Sequence, residues 1–440
     1  MHSASQINHN VVGHDKAWPA AIREVCCWQT HPGPAKAGPP LQRRGTRTYA
    51  ALLIPSSGGV REARGGFFGR QNILGGMRFV ASAALALFAL AAHAAGIPDR
   101  QAICLPDIPG YQTLKCDFHM HTVFSDGQVW PTWRVEEAWR DGLDAIALTD
   151  HIEYQPKKDD IPTNPQRPFE LAKGLGAERG LIIIRGAEIT KDVPPGHFNA
   201  LFLTNILPLV SSNLAVQLDE ARKQDAFVFW NHPGWRVKTN EATILPLHNE
   251  LVAQKLVQGT ELYNGDDVYT NVWPWALENK LTLLANSDTH NPIDPPLARH
   301  AKHRTMTLVF AKVRTADGIK EALRAGRTVV WAGDILAGSA ELLVPLFAAA
   351  VKVEPPHLRN AKTAFVKITN TSDVPFMLTR TGKAGPEKLE LPAGKTVLLK
   401  IAVAAKQPLP ALDYTVDNLL TAPNSPLPVT LALPDSKPGK

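Results

Sequence analysis

Two histidines one residue apart, His119 and His121, stand where the extended run Leu114 to Phe118 gives way to a loop. In an extended segment side chains at i and i+2 point the same way, so both imidazoles can reach one cation while Met120 packs backwards. Ser125-Asp126-Gly127 follows in a turn able to bring a carboxylate back over the same spot. Two packed or exposed histidines also read as H-x-H, so the rest of the chain has to supply further ligands. It offers Thr149-Asp150-His151, Gly186-Ala187-Glu188, His197, Asn231-His232-Pro233 and Ser287-Asp288-Thr289-His290. Imidazole and carboxylate without thiolate suit zinc, manganese or ferrous iron, ions that lower the pKa of a bound water.

The elements that must carry these residues alternate between two periods. Short apolar runs cover Leu114 to Phe118, Leu143 to Leu148, Leu181 to Ile184, Phe198 to Leu203, Ala226 to Trp230, Gly259 to Leu262, Leu281 to Ala285 and Met306 to Phe310. Helical periodicity lies between them, at Pro131 to Arg140, Pro168 to Glu178, Leu214 to Gln224, Thr243 to Lys255, Val268 to Asn279 and Ala316 to Ala325. Pro131 and Pro168 suit first turns, and Gly142, Gly180 and Gly326 suit the positions after helix ends. Repeated strand-then-helix units predict a mostly parallel barrel, although an open α/β sheet has the same pattern. Most of the polar clusters follow a strand's last residue, and in a βα-barrel those ends share one face. His197 precedes its strand instead, which predicts an inserted hairpin or an irregular loop over the mouth.

In this combination and order the motifs resemble the polymerase and histidinol phosphatase (PHP) superfamily of metal-dependent phosphoesterases. His119-Met120-His121 with Ser125-Asp126-Gly127 is similar to its first motif, Thr149-Asp150-His151 to its second, and Glu188 with His197 to its third. Asn231-His232-Pro233 and Asp288-Thr289-His290 are similar to the last two. The resemblance implies an α/β fold over residues 114–338, a distorted (β/α)7 barrel, so that one of the eight runs belongs to an insertion or an edge. It implies two to three divalent metal ions. His119, His121, Asp288 and Glu188 would hold the first, Glu188 as a bridge with His197 and His232 the second, and Asp126, His151 and His290 the third. Glu188, Asp288 and His232 would carry catalysis, and Asp117 and Asp150 would fix histidine tautomers.

The activity implied is phosphoester hydrolysis by a metal-activated hydroxide. Arg299, His300, His303 and Arg304 could clamp the phosphate or form a solvated basic turn, and Trp235 could wall the pocket or simply pack. The closer resemblance is to secreted phosphodiesterases of that superfamily that act on organophosphate diesters, including the run Val135 to Arg140. Trp230, Trp235, Tyr154, Pro194 and Pro195 near the expected mouth favour an apolar substituent, hence a small diester. The alternatives are a phosphomonoesterase of the same superfamily, an amidohydrolase-type hydrolase, and a non-catalytic metal- or phosphate-binding protein. Amidohydrolases also begin with H-x-H, but usually bridge their metals through a modified lysine.

Residues 1–76 are rich in Gly, Pro, Arg and Gln and lack apolar periodicity. At Met77 a basic residue, an apolar run from Phe79 to Ala92 and the small-x-small box Ala92-His93-Ala94 read as a secretory signal peptide over 77–94. The expectation is translation from Met77, with 1–76 a mis-assigned extension, a mature segment from 95 to 113, and a periplasmic or secreted product without a stable membrane span. A membrane anchor behind a cytoplasmic tail is the other reading. Residues 1–94 hold 10 of the 47 basic and 3 of the 41 acidic residues, which leaves 37 against 38. The basic balance therefore resides in the leader and argues for no nucleic-acid partner. Of four cysteines, Cys104 and Cys116 remain, either as a disulfide or with Cys116 as a small buried strand residue.

Beyond Gly338, alternating segments at Ala364 to Thr369, Pro375 to Thr379, Lys388 to Leu391 and Thr396 to Val403 predict a small β-sandwich-like domain over 339–433, followed by a disordered tail over 434–440. It carries no metal-like constellation.

Overall fold

The computed structural model describes residues 99–434 apart from 238, 296–302 and 406, so the expected signal peptide lies outside the described residues. From Arg100 onward the described residues belong to one compact unit. No helix among them is long and apolar enough to cross a membrane.

The barrel wall is made of β1 (Gln112–Asp117), β2 (Ala145–Leu148), β3 (Ile182–Ile189), β4 (Phe198–Leu201), β5 (Phe227–Trp230), β6 (Gly259–Asn264), β8 (Thr282–Asn286) and β9 (Met306–Ala311), with the two-residue β7 (Asp267–Val268) beside β6. Six of these eight strands run in parallel, whereas β4 opposes β3 and β5, and β9 opposes β1. The reversal of β4 explains His197. A residue preceding an antiparallel strand arrives at the same end as residues following parallel ones. Between β8 and β9 the seam is made by threonine hydroxyls. Thr307 Oγ1 accepts from the Ala285 amide at 2.9 Å and donates to its carbonyl at 2.8 Å, and from the strand beyond β9 Thr328 Oγ1 donates to Leu283 O of β8 at 2.8 Å.

Side-chain parity sorts the strands into layers. Cys116, Phe118, Ala145, Ala147, Ile184, Phe227, Phe229 and Leu284 pack together inside the barrel. Ile146 and Leu148 face outward onto Val135 and Ala138 of α1 (Pro131–Arg140) and Ala172 of α2 (Arg167–Arg179). Ala187, Val228 and Trp230 face outward onto α3 (Leu214–Lys223), α4 (Pro246–Ala253) and α5 (Val272–Glu278). Helix ends follow local chemistry. Asn213 caps α3 by accepting from Ala215 N and Val216 N, Thr315 caps α6 (Ala316–Arg324) through Gly318 N, and Gly180 ends α2 in the left-handed conformation.

The barrel sheet does not stop at β9. The hairpin β10 (Thr328–Ala332) and β11 (Ile335–Gly338) extends it, and β11 pairs in parallel with β18 (Leu412–Ala422), which is flanked by β15 (Phe376–Arg380) and β19 (Ser425–Leu431), with β16 (Lys388–Leu391) beyond β15. A second sheet of β12 (Val351–Val353), β13 (Leu358–Arg359), β14 (Thr363–Asn370) and β17 (Thr396–Ala402) completes a sandwich. Between barrel and sandwich lies α7 (Ala340–Ala350), a helix where the sequence reading expected only β structure. Cys104 is exposed, Cys116 is buried, and both are free thiols, so the disulfide option is not realised.

Candidate metal centre

All nine residues proposed as ligands converge at one end of the barrel. Glu188 is at the centre. Its position on β3 follows from parity, since Ile184 points inward and Gly186 and Glu188 share that face. Oε2 lies 3.2 Å from His119 Nε2, 3.2 Å from His121 Nε2 and 3.1 Å from His151 Nδ1. Oε1 lies 2.9 Å from His197 Nδ1 and 3.4 Å from His232 Nε2, and accepts from Asn231 Nδ2 at 2.9 Å. The two oxygens of one carboxylate thus face two different histidine groups. Asp288 Oδ1 closes the first group, 3.2 Å from His119 Nε2 and 3.0 Å from His121 Nε2. A further group forms around Asp126, with His290 Nε2 at 3.2 Å, His151 Nε2 at 3.6 Å and His121 Nδ1 at 3.7 Å.

Backbone bonds carry the ladder past the strand ends and fix the ligand-bearing segments to one another. His121 N donates to Thr289 O at 3.0 Å, Asp288 N to His119 O at 2.9 Å, Glu188 N to Asp150 O at 3.1 Å and Asn231 N to His197 O at 3.0 Å. His232 and Asp288 take positive φ angles of 25° and 48°, conformations that cost non-glycine residues energy and concentrate at functional sites. Gly127 lets the first loop close, because a Cβ there would lie 2.5 Å from the His121 carbonyl carbon.

The charges are balanced for ligation rather than for an apolar core. Burial alone would lower the His119 pKa, but Asp288, Glu188 and Glu261 outweigh it and raise it well above the ordinary histidine value; His121 and His290 are raised as well. Burial alone would raise Glu188, yet His151 and His119 hold it well below the carboxylate range. Burial shifts His197 down.

Among the described residues, three buried candidate ligand atoms in the centre have no hydrogen-bond partner: His121 Nε2, Asp126 Oδ1 and Asp288 Oδ1. Polar atoms buried without partners cost free energy, and nitrogen and oxygen lone pairs converging from several sides are what a divalent ion satisfies. Four sets of at least three donor atoms lie within 4.8 Å of one another: His121/Asp126/His151/His290, His119/His232/Asp288, His119/His121/Glu188 and His151/Glu188/His197. The residues fit divalent metals, and several of them are shared between sets.

The sequence reading missed two supporting residues. Glu261, wholly buried on β6, lies 2.9 Å from His119 Nδ1, accepts from His232 N at 2.7 Å and from Asn286 Nδ2 at 2.9 Å, and so orients one ligand through its ring and another through its backbone. The available signal was a carboxylate inside an apolar run, two residues from Gly259 and therefore on the same face. Arg134 on α1 donates Nε to His121 O at 2.9 Å and Nη2 to Thr289 O at 3.1 Å, joining the first and last motifs. Nothing in its local sequence announces that role.

Several expectations need correction. Arg304 is no phosphate clamp: it is buried, with Nη2 2.7 Å from Asp141 and Nη1 3.3 Å from Asp117. Arg299 and His300 lie outside the described residues. His303 is buried, its ring 3.7 Å from that of Trp331. Neither Asp117 nor Asp150 hydrogen-bonds to a histidine ring among the described residues. Asp117 takes Ser287 Oγ at 2.6 Å, while Asp150 takes the Thr122 amide and hydroxyl, both at 2.7 Å, and Ser125 Oγ at 2.6 Å. Trp230 points away from the mouth, stacked 4.0 Å from His248, because Phe227 and Phe229 take the inward parity. Trp235 does stand at the centre, its ring 5.0 Å from His197 and 5.3 Å from His232, and exposed Tyr154 lies edge-on to His151 at 5.8 Å.

Comparison with known proteins gives three findings. The crystal structure of a two-domain protein from Bacteroides vulgatus containing a predicted PHP-like metal-dependent phosphoesterase superposes with a TM-score of 0.72 at 40% identity, covering 77% of this chain and 100% of that chain. An uncharacterized protein of Methanocaldococcus jannaschii is 30% identical over 192 residues, 41% of this chain and 84% of the relative. Residues 351–432 match the model of an Ig-like domain family.

Proposed function

Since the chain belongs to the PHP-like metal-dependent phosphoesterases, we propose that it is an exported phosphodiesterase acting on small phosphodiesters with two to three divalent ions of zinc, manganese or iron. The observation that carries this reading is the division of Glu188, whose Oε2 serves His119, His121 and His151 while Oε1 serves His197 and His232. When bound, the ions supply Lewis acidity and an acidified water. The chain's own residues would do the rest. His119, His121, Asp288 and Glu188 would hold one ion, Glu188, His197 and His232 a second, and Asp126, His151 and His290 a third. Asn231 holds Glu188 Oε1, and Glu261 holds His119 through Nδ1 so that Nε2 faces Glu188 and Asp288.

Preference for a diester is supported by what surrounds the centre. The Trp235 indole against His197 and His232, and the Tyr154 ring at His151, offer apolar surface to a second substituent, worth roughly 25 cal/mol per Å² covered. Arg304, one of the two arginines that the sequence offered as a phosphate clamp, is engaged with Asp117 and Asp141. Export is supported by the leader read over 77–94.

The test compares kcat/KM for bis(4-nitrophenyl) phosphate and 4-nitrophenyl phosphate at one metal and pH. Diester preference is expected, and a monoester preference of about tenfold or more returns the protein to the phosphatase branch. Glu188→Gln should lose bound metal, measured by elemental analysis, and fall to the activity of chelated protein. Wild-type turnover persisting after exhaustive chelation would sink the metal-dependent reading.

A further inference from the structure

Among the described arginines, Arg236 alone makes no side-chain hydrogen bond and no ion pair; its guanidinium carbon lies over the Trp235 ring, 4.2 Å from the centroid. The others are engaged. Arg134, Arg304 and Arg324, for example, pair with Glu137, Asp141 and Asp225. Arg236 is exposed, yet its placement is specific. It follows the ligand His232 through a tight turn in which Trp235 N donates to His232 O at 2.8 Å. The turn needs Gly234, where a Cβ would lie 2.4 Å from Asn240 O. Arg236 itself adopts φ +65°, a conformation disfavoured for any residue with a Cβ.

The indole under the guanidinium is the same ring that lies 5.0 Å from His197 and 5.3 Å from His232. Arg236 is therefore one ring away from His197 and His232, and it forms no hydrogen bond or ion pair with any of the nine candidate ligand residues. A substituent on a phosphate held at those histidines would lie against the same indole that carries this guanidinium. A guanidinium already oriented by an aromatic face, and without a carboxylate of its own, is a preformed donor for an oxyanion.

We infer that Trp235 and Arg236 form the recognition site for the ester's substituent, and that the preferred substrates are phosphodiesters carrying an anionic group, a carboxylate or a further phosphate, on that substituent. This deepens the phosphodiesterase reading and rests on it. Trp235 covers the substituent's apolar part and Arg236 pairs with its charge.

Binding and turnover test it separately on the metal-loaded full chain. Methyl phenylphosphonate and methyl 4-carboxyphenylphosphonate, diester mimics that differ in one carboxylate, are titrated calorimetrically, with the 4-phosphonophenyl counterpart distinguishing carboxylate from phosphate. Wild type should bind the anionic compounds about tenfold more tightly than the plain one, the scale of a charge-assisted hydrogen bond. Arg236→Gln should remove most of that preference and Arg236→Lys should keep part of it. For 4-nitrophenyl diesters of the same two groups, Arg236→Gln should cost the carboxylated substrate more kcat/KM than the plain one, mainly through KM. No anionic preference in wild type, or a preference that survives Arg236→Gln, overturns the inference. Absent turnover of every diester with the binding preference intact would overturn the phosphodiesterase reading and leave Arg236 as an anion site.

Discussion

Two buried charged clusters adjoin each other at the mouth of this barrel, and they are built on opposite principles. In the support cluster Arg304 meets Asp117 and Asp141, and Arg134 meets Glu137 and the carbonyls of His121 and Thr289. There cations and anions answer one another, and the long guanidinium forks satisfy several acceptors each. In the ligand cluster six histidines surround Asp126, Glu188 and Asp288, and three ligand atoms remain without hydrogen bonds. The first cluster is complete as folded protein. The second gathers donor atoms of the kind that could hold divalent cations, and the first ties its loops together.

If the support cluster is a closed structural unit, removing one partner should cost fold stability before it costs chemistry. Arg304→Met leaves Asp117 and Asp141 buried without their cation and should destabilise the protein by about 3–5 kcal/mol in denaturant unfolding. A phosphate-binding role would instead raise KM at unchanged stability, which would erase the distinction between the clusters. Glu261 stands on the boundary, since it is part of the scaffold but touches His119. Glu261→Gln should keep the fold and weaken metal affinity by about 10–100-fold, measured by competition with a chelating dye. An unchanged affinity accompanied by a large stability loss would move Glu261 into the support cluster.

The smallest effect concerns pH and separates metal-free from metal-loaded protein. His119, His121 and His290 have folded pKa values above their unfolded ones, so in metal-free protein the stability they contribute is fully present below the unfolded histidine value and is lost as pH rises through the raised one. Glu188, Asp126 and Asp288 are lowered, so their contribution is present above the unfolded carboxylate value and is lost as pH falls through the folded one. His197, shifted down by burial, opposes His119, His121 and His290. Metal-free stability should therefore peak on the acidic side of neutrality. Metal binding displaces protons from the imidazoles, so the stabilisation by metal should grow as pH rises. Melting curves with and without chelator from pH 5 to 9, a window of about the usual histidine range, check both slopes; parallel curves would remove the coupling.

Much of the candidate ligand set that converges here was legible because its signals are local. His119 and His121 share a face by strand parity, and Asp126, His151, His232, Asp288 and His290 come just after apolar runs whose ends a barrel gathers. Glu188 was legible as a residue, although β3 runs on to Ile189 and places it within the strand rather than past its end. Helices such as Pro131–Arg140 and Leu214–Lys223 also came from short-range information: apolar period, proline at a first turn, an asparagine cap. The sandwich strands Thr363–Asn370 and Thr396–Ala402 showed their alternation in the same way.

Tertiary structure alone decided the rest. Whether Arg304 faces solvent or Asp141 depends on a partner 163 residues away, and its local sequence, a basic turn, looks the same in either case. The antiparallel course of β4 depends on pairing with β3 and β5, while its four residues, Phe-Asn-Ala-Leu, would suit a parallel strand as well. The pairing of β11 with β18 joins residues such as Leu336 and Leu419, which no local period relates, and it makes the sandwich a continuation of the barrel sheet. Trp230 and Trp235 are both aromatic and only five positions apart, yet one packs outward on His248 and the other faces His197 and His232. The sequence determined which side chains could ligate metal and near which strand ends they would stand, because those are properties of residue type and short-range geometry. Which charges pair off in closed clusters and which gather as candidate ligands was decided only when distant segments met, because electrostatic pairing depends on distance in space rather than along the chain.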